Sequence, residues 1–367
     1  MKIFIDRGPL LRVLNHVQAV VERRNTVPIL SNVLLQAEGD TLNVTATDLD
    51  MQINEKTAAS VSTPGRVTVS AHTLFDIVRK LPDGSQVELS MEGEGRLLVA
   101  AGRARFRLST LDPQEFPEIV PGDLPTRFEL EGEDLSRMLA RVRYAISTEE
   151  TRYYLMGIYF HQVDGQLLAV STDGHRLART AKEAPENGAS FDGVILPRKF
   201  IGEVLKIVDE VEGKVVIEMS PTKVRFTLGD AILTSKVIDG TFPDYNRVIP
   251  KNNDKVVTVS AAALAESIDR VSTITSERTR AVRVDLSTNK ITLTVQSAEN
   301  GRAVEEVETE YTGAPLEIGF NARYFLDVLN QNKDQVIDIA FAGPADPVLV
   351  KPRNGTGDLS VIMPMRI

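Results

Sequence analysis

The sequence predicts an α+β protein built from three copies of one structural unit. Two observations support this: short motifs return about every 125 residues, and each copy has two helical patterns between segments of strand-like alternation. A chain of 367 residues is long enough for two or three domains. Hydrophobic residues make up 42%, enough for an ordinary core in each domain.

The repeat is clearest between the first two copies, and the third copy is more diverged. The recurring pairs are Thr47-Asp48 with Thr172-Asp173, 125 positions later, and Phe116-Pro117 with Phe242-Pro243, 126 positions later. Two proline-rich stretches, DPQEFPEIVPGDLP and FPDYNRVIPKNND, mark the boundaries. We therefore predict domains at 1–125, 126–251 and 252–367.

Helices are predicted where apolar residues recur every three or four positions. Ser70 and Ser260 stand where N-caps are expected, because a serine hydroxyl can accept a hydrogen bond from a free amide of the first turn. The predicted helical windows are 7–21, 72–80, 134–146, 198–208, 261–274 and 321–331.

Strands are predicted where apolar and polar residues alternate. In the segment that begins at Gln86, Val87, Leu89 and Met91 fall on one face, and Gly93 with Gly95 marks a hairpin turn. In the third copy, Asn354-Gly355 is typical of a tight hairpin.

Composition excludes several kinds of chemistry. The chain has no cysteine, which excludes disulfides, thiolate metal sites and a cysteine nucleophile. None of its four histidines lies three to five residues from another, so no local metal pair is expected. No apolar run approaches a membrane span, and the first residues lack the apolar stretch of a signal peptide, so we predict a cytoplasmic protein.

Charge is distributed unevenly along this acidic chain. The net charge is -9, yet the six helical windows hold twelve basic and six acidic residues. If these helices share one surface, that surface suits the phosphates of duplex DNA, which offer no direct sequence information. Ordinary solvated helix faces explain the same count. The absence of tryptophan argues against a single-strand binder with aromatic stacking platforms.

Segments from all three copies resemble the bacterial DNA polymerase III beta subunit family, the DNA sliding clamps. The resemblance runs over essentially the full length, in the order of the family. The matching segments are TVPILSNVLL, TATDLDMQI, RYYLMGIYF, STDGHRLA, ILPRKF, TSKVIDGTFPDY, IGFNARYFLDVL and VIMPMRI.

The resemblance implies three clamp domains per chain and a head-to-tail homodimeric ring, with helices lining a central hole and antiparallel sheets outside. It implies a processivity factor without a catalytic site, cofactor or metal. The implied partners are double-stranded DNA without sequence preference, the polymerase III alpha subunit, the clamp loader complex, other polymerases and repair proteins, and a second copy of the chain, with no membrane.

The resemblance also places a peptide-binding groove between the second and third copies. Apolar side chains with a few polar anchors are typical of such sites, although the same residues could be plain core. The groove residues are Leu155, Thr172, Gly174, His175, Arg176, Leu177, Pro243, Arg247, Val248, Val361, Met363, Pro364, Met365 and Arg366.

For DNA contact, Arg24, Arg198 and Lys199 match positions of the family. Four further candidates rest on helix charge alone. These are Arg79, Lys80, Arg137 and Arg141.

The dimer joint is expected where a basic strand of the first copy meets an acidic strand of the third. Unlike sheet edges can pair heterologously and close a ring, although two unrelated exposed strands would look the same in sequence. The candidate residues are Arg103, Arg105, Phe106, Leu108, Ile274, Glu305 and Glu306.

Two other functions match parts of the sequence. Ser171, Asp173 and His175 include the groups of a hydrolase triad, but triads assemble from positions distant in sequence. The glycines of the hairpin turns lie between strands rather than before a helix, so no phosphate loop is expected. A repeat scaffold that binds only proteins remains the second alternative.

Overall fold

The structure is a computed structural model that describes residues 1–93, 95–185, 191–275, 280–355 and 357–366. Helices and antiparallel strands alternate along the chain, so the α+β class is confirmed. The helices of the described residues are α1 (Arg7–Gln18), α2 (Ala71–Lys80), α3 (Gly132–Arg143), α4 (Arg198–Val208), α5 (Ala261–Ser272) and α6 (Ala322–Asn330). No helix in those ranges is long and apolar enough to cross a membrane.

The strands repeat the same order in each copy: one strand, a helix, a group of strands, a second helix and a last group of three. In the first copy they are β1 (Lys2–Asp6), β2 (Asn32–Glu38), β3 (Thr41–Thr47), β4 (Met51–Ala58), β5 (Ser60–Thr63), β6 (Gly65–Ser70), β7 (Gln86–Met91), β8 (Arg96–Ala101) and β9 (Ala104–Ser109). In the second they are β10 (Thr126–Glu131), β11 (Gly157–Val163), β12 (Gln166–Thr172), β13 (Arg176–Glu183), β14 (Val194–Pro197), β15 (Lys214–Met219), β16 (Lys223–Leu228) and β17 (Ala231–Lys236). In the third they are β18 (Lys255–Ser260), β19 (Ala281–Ser287), β20 (Lys290–Ser297), β21 (Gly301–Glu308), β22 (Leu316–Asn321), β23 (Val336–Phe341), β24 (Val348–Pro352) and β25 (Leu359–Ile362).

Hydrogen bonding joins neighbouring copies into continuous sheets. One eight-stranded sheet runs β10-β15-β16-β17-β4-β3-β2-β6, and another runs β14-β11-β12-β13-β25-β24-β23-β18. The joints are the antiparallel pairs β17 with β4 and β13 with β25. A five-stranded sheet, β5-β1-β7-β8-β9, and a four-stranded sheet, β21-β20-β19-β22, complete the fold.

Because these sheets cross the copy boundaries, the chain divides into two compact units rather than three. The first unit comprises Met1–Ser136, Pro185–Phe191 and Leu196–Ile238, and the second comprises Arg137–Ala184, Asp192–Ile195 and Asp239–Ile367. Contact density therefore does not test the three boundaries predicted from the repeat, which stay a prediction.

Each helix buries one apolar face against its unit. In the first unit α1 packs on α2, and its buried residues include Leu10, Leu14 and Val17. In the second unit α5 packs on α6, and Phe325 of α6 lies in one core with strands of the third copy. The apolar periodicity of the sequence therefore found the packed faces.

Two of the three local signals of the sequence form the predicted structure. The predicted caps are confirmed: the hydroxyl of Ser70 accepts from the amide of Thr73, and that of Ser260 accepts from the amide of Ala263. Asn354-Gly355 does not form a two-residue hairpin, because β24 and β25 are separated by residues 353–358. Residue 356 of that connection lies outside the described residues.

Candidate functional site

The site begins with a tight turn between β12 and β13. Thr172 Oγ1 donates to the carbonyl of Arg176 at 2.7 Å, and Asp173 Oδ1 accepts from the amides of His175 at 2.9 Å and Arg176 at 3.0 Å. Gly174 has φ +87°, a conformation that glycine adopts without cost. The sequence Thr-Asp-Gly thus specifies the turn through its own side chains.

The first copy holds the same turn between β3 and β4. Thr47 Oγ1 donates to the carbonyl of Met51 at 2.9 Å, and Asp48 Oδ1 accepts from the amides of Asp50 and Met51. Leu49 stands at the position of the glycine, with φ +77°. The repeat detected in the sequence therefore extends to individual hydrogen bonds.

Arg176 connects the turn to other elements of the second unit. Its guanidinium lies 3.1 Å from Asp173 Oδ2, 2.5 Å from Asp327 Oδ2 of α6 and 2.7 Å from the carbonyl of Tyr144. It also stacks on the Tyr324 ring, 4.4 Å from the centroid. Its side chain is only 10% exposed, so this cation supports the floor of the site.

Beside the turn lies a cavity of about 160 Å³ within the second unit. Val361 of β25 lies opposite Leu177 in the sheet, and the amide of Met363 donates to the carbonyl of His175 at 2.8 Å, which carries the chain across the cavity. The lining residues are Leu155, Thr172, Gly174, His175, Arg176, Leu177, Pro243, Asp244, Tyr245, Val248, Val361 and Met363. We call this cavity the groove.

Ten of the fourteen predicted groove residues line this cavity. The four that do not are Arg247, whose Nε bonds to Asp244 Oδ2 at 3.0 Å, and three residues of the C-terminal segment, Pro364, Met365 and Arg366. The amide of Met365 instead donates to the carbonyl of Gly319 at 2.8 Å, because the chain has passed the cavity by this point.

Sequence reasoning missed two lining residues, Asp244 and Tyr245. Both directly follow Pro243, and Tyr245, which begins a short 3-10 helix, Tyr245–Arg247, contributes to one wall. Burial raises the pKa of the Tyr245 hydroxyl above its usual value. The repeated Phe-Pro pair could have drawn attention to the residues after it.

The three groups of the suspected hydrolase triad serve the fold instead. The hydroxyl of Ser171 is buried and donates to the carbonyl of Val142, and Asp173 is occupied by the turn amides and Arg176. The ring of His175 stacks near Tyr324, with 6.0 Å between centroids. This geometry does not assemble a nucleophile with its base.

Within the described residues, no group of three or more His, Asp and Glu side chains could hold a metal ion.

Several candidate DNA residues lie together in the first unit. Arg24 is exposed in the loop after α1, and Arg198 is exposed at the start of α4. Lys199 Nζ donates to the carbonyl of Val20 at 2.9 Å, which brings that loop to the start of α4. Arg79 and Lys80 are exposed at the end of α2, and Arg137 is exposed on α3 in the second unit.

Some basic residues counted in the helices have structural partners. Arg7 bonds to the carbonyls of Val78 and Arg79 and to Asp83, so it holds the start of α1 to the end of α2. Arg141 bonds to the carbonyl of Gln331. Counting charge by helix therefore overstated the basic surface, because sequence does not reveal which cations are already paired.

Lys199 is also ion-paired, since its ammonium lies 2.5 Å from Asp48 Oδ2. Together with Arg141, whose side chain is 22% exposed, it is a weaker candidate for phosphate contact than Arg24 or Arg198. Neither Arg24 nor Arg198 has an ion-pair partner in the described ranges.

Two exposed edge strands hold the candidate dimer residues. Within the described residues β9 pairs only with β8, and its residues Arg105 and Phe106 are exposed, while Leu108 is half-buried and Arg103 lies in the turn before the strand. In the second unit β21 pairs, among the strands that the structure describes, only with β20. Its Glu305 is bound to Arg270 at 2.6 Å, which lowers the pKa of this glutamate, and Glu306 is bound to Lys290 at 2.7 Å. Ile274 packs against the third-copy core.

Three family models match the chain in succession. They are the N-terminal domain of the DNA polymerase III beta subunit at residues 1–120, its central domain at 129–244 and its C-terminal domain at 246–366.

Individual relatives agree over the full length. The beta sliding clamp of Caulobacter vibrioides is 50% identical over 372 residues, which cover 100% of both chains. The crystal structure of the Caulobacter crescentus polymerase sliding clamp superposes with a TM-score of 0.94 at 50% identity, covering 100% of both chains. The Bartonella birtlesii sliding clamp bound to griselimycin gives a TM-score of 0.97 at 44% identity, again with 100% coverage of both.

The repeated fold and these similarities define a sliding clamp, the class of protein that gives a DNA polymerase its processivity. The chain belongs to the DNA polymerase III beta subunit family.

Proposed function

We propose that the groove binds short segments of replication and repair proteins through their apolar side chains. The observation that carries this proposal is the convergence of ten residues chosen from sequence on one cavity. Its volume of about 160 Å³ is smaller than that of drug-sized pockets, so it suits one or two side chains of an extended peptide.

Two features of the groove favour several partners. Met363 and Val248 are 40% and 48% exposed at its rim, so a partner can bury them without displacing the core. Methionine also repacks readily around different shapes. The partners we propose are the polymerase III alpha subunit, the clamp loader complex, and other polymerases and repair proteins.

We further propose that two chains close into a head-to-tail ring through β9 of one chain and β21 of the other. Each strand leaves one backbone edge without a strand partner in the part of the chain that the structure describes, and unlike edges can pair heterologously. Phe106 and Val304 are 37% and 50% exposed on these strands and could form the apolar part of the joint. Three domains per chain, at 1–125, 126–251 and 252–367, would form this ring.

Duplex DNA is the proposed occupant of the ring. Arg24 and Arg198 are exposed and unpaired in the described ranges, and contacts of this type to phosphate carry no sequence preference. Such contacts permit sliding. The clamp would act as an accessory subunit in the cytoplasm, while catalysis and ATP use belong to its partners.

The topological test uses the intact protein. It would be loaded by a clamp loader onto nicked circular DNA, and the circle would then be linearised. A ring is expected to slide off the free ends, whereas retention after linearisation would contradict encirclement. A scaffold that binds only proteins would not be retained on the circle at all.

The groove test uses two rim substitutions, Val248→Asp and Met363→Asp, and griselimycin as the probe. Both side chains are exposed, so folding should be preserved, and a buried carboxylate should weaken binding at least tenfold in calorimetry. Val256→Asp is the matched control, because Val256 is 47% exposed but lies on β18 and does not line the cavity. Unchanged binding by both rim variants would contradict the proposed groove.

A further inference from the structure

A stack of aromatic rings lies behind one wall of the groove. The His161 ring of β11 stacks on Tyr159, with centroids 4.3 Å apart, and Tyr159 stacks on Phe242 at 5.0 Å. Phe242 immediately precedes Pro243, a lining residue of the groove. The stack therefore connects β11 to the segment that forms the wall.

His161 also bonds to the wall directly. Its Nε2 lies 3.0 Å from the hydroxyl of Tyr245, and both side chains are buried, at 7% exposure each. Tyr245 lines the groove, whereas His161 does not. The Tyr245 ring is thus held by its hydroxyl from behind, while part of it faces the cavity.

We propose that His161 is a positioning residue for partner binding, which fixes the Tyr245 ring in the wall of the groove. The proposal rests on the proposed function of the groove. A wall held in its binding position loses less conformational freedom when a partner binds, and the affinity rises accordingly.

The chemistry of the buried His161–Tyr245 pair supports a role that does not depend on a change of protonation. Burial, aided by the nearby charge of Arg179, lowers the pKa of His161 to about 4. The imidazole is therefore neutral at physiological pH, and a neutral ring can share one hydrogen bond with a hydroxyl without burying a charge. Loss of either partner would leave the other buried without its bond.

The first test is a double-mutant cycle on griselimycin affinity, measured by calorimetry on the full-length protein. His161→Phe keeps a ring in the stack but removes the hydrogen bond, and Tyr245→Phe removes the same bond from the other side. Each is expected to weaken binding about fivefold, the effect of one hydrogen bond, and the double variant is expected to be no weaker than either.

Tyr311→Phe is the matched control. Tyr311 is a buried tyrosine of the same unit whose hydroxyl donates to the carbonyl of Ala314 at 2.5 Å, and it does not line the groove. It should lower thermal stability without changing affinity. A general structural effect would instead weaken binding in all three single variants, and this outcome would overturn the proposal.

A spectroscopic readout follows the bond itself. With only four histidines, a selectively labelled sample gives four side-chain nitrogen patterns, and His161→Phe identifies one of them. The Nε2 resonance of His161 should shift in Tyr245→Phe, which removes its hydrogen-bond partner, while those of His16 and His72 should not. Additive losses in the cycle, or a His161 resonance that Tyr245→Phe does not move, would refute the positioning role. Binding that is also insensitive to Val248→Asp would instead refute the groove itself.

Discussion

Arg176→Met is the most informative single change, because the first copy already carries Met51 at the equivalent position of the same turn. The substitution removes the cation that holds Asp173, Asp327 and the carbonyl of Tyr144 together. The side chain of Asp173 is 14% exposed and that of Asp327 is 32% exposed, so two carboxylates lose their partner in a poorly hydrated place.

The magnitude follows from that geometry. Removing one partner of a buried ion pair costs about 3–5 kcal/mol, and the partial exposure of Asp327 favours the lower end. We expect a loss of about 3 kcal/mol, which for a unit of this size lowers the Tm by roughly 9 °C. Differential scanning calorimetry would measure the shift, and hydrogen exchange would show whether the amides of residues 172–177 open first.

The control is Arg247→Met, because the Arg247 side chain is 83% exposed and its bond to Asp244 should contribute at most about 0.5 kcal/mol. Asp327→Asn in the Arg176→Met background should recover part of the loss by removing an unpaired charge. A cost below about 1 kcal/mol, or no recovery in the double variant, would refute the view that Arg176 supports the site by charge.

Three further changes test other parts of the argument. Leu49→Gly should stabilise the protein by up to about 1 kcal/mol in urea unfolding, because φ +77° strains a leucine; a loss of stability would contradict this. Ser260→Ala should cost about 1 kcal/mol in the same assay, since it removes the cap of α5, and no change would mean that the cap contributes nothing. Burial alone would lower the pKa of His16, but the carboxylates of Glu55, at 2.8 Å, and Glu210, at 3.3 Å, outweigh it and raise this pKa. The protonated ring therefore stabilises the fold fully below about pH 6.5 and less as pH rises through the folded pKa, so wild type should lose more stability than His16→Gln between pH 6 and 9; parallel pH curves would contradict this.

The fold was predictable because its signals are local and repeated. Apolar periodicity located all six described helices to within about three residues at each end, and the hydroxyls of Ser70 and Ser260 cap two of them as expected. The two compact units were not predictable in this way. They arise from the pairing of β17 with β4 and of β13 with β25, and long-range strand pairing leaves no periodic mark in the sequence.

The candidate groove was predicted from family resemblance. The residues that this prediction left out or misjudged show what resemblance does not reveal. The repeated Phe-Pro pair before Tyr245 is the one sequence signal near it, and only the folded chain brings Tyr245 to His161, 84 positions away. Arg7 and Arg141 were counted as surface charge, although each bonds to backbone carbonyls. Pairing of a cation depends on tertiary neighbours, which composition does not contain.

The two versions of the Thr-Asp turn separate what the fold requires from what the groove requires. Both keep the threonine and aspartate bonds to backbone. In both, a residue at the end of the joining strand donates to the fourth turn residue: Lys236, the last residue of β17, to Asp50, and Met363, just after β25, to His175. These shared bonds therefore belong to the turn itself.

The copies differ at the third, fourth and fifth positions of the turn. Leu49, Asp50 and Met51 of the first copy are replaced by Gly174, His175 and Arg176 in the second. A Cβ at Gly174 would stand 2.4 Å from Nη1 of Arg152, so glycine leaves room for that side chain, and Arg176 reaches α6 of the third copy through Asp327. The groove thus depends on substitutions that act across the junction of two copies, while the shared hydrogen bonds preserve the turn that presents them.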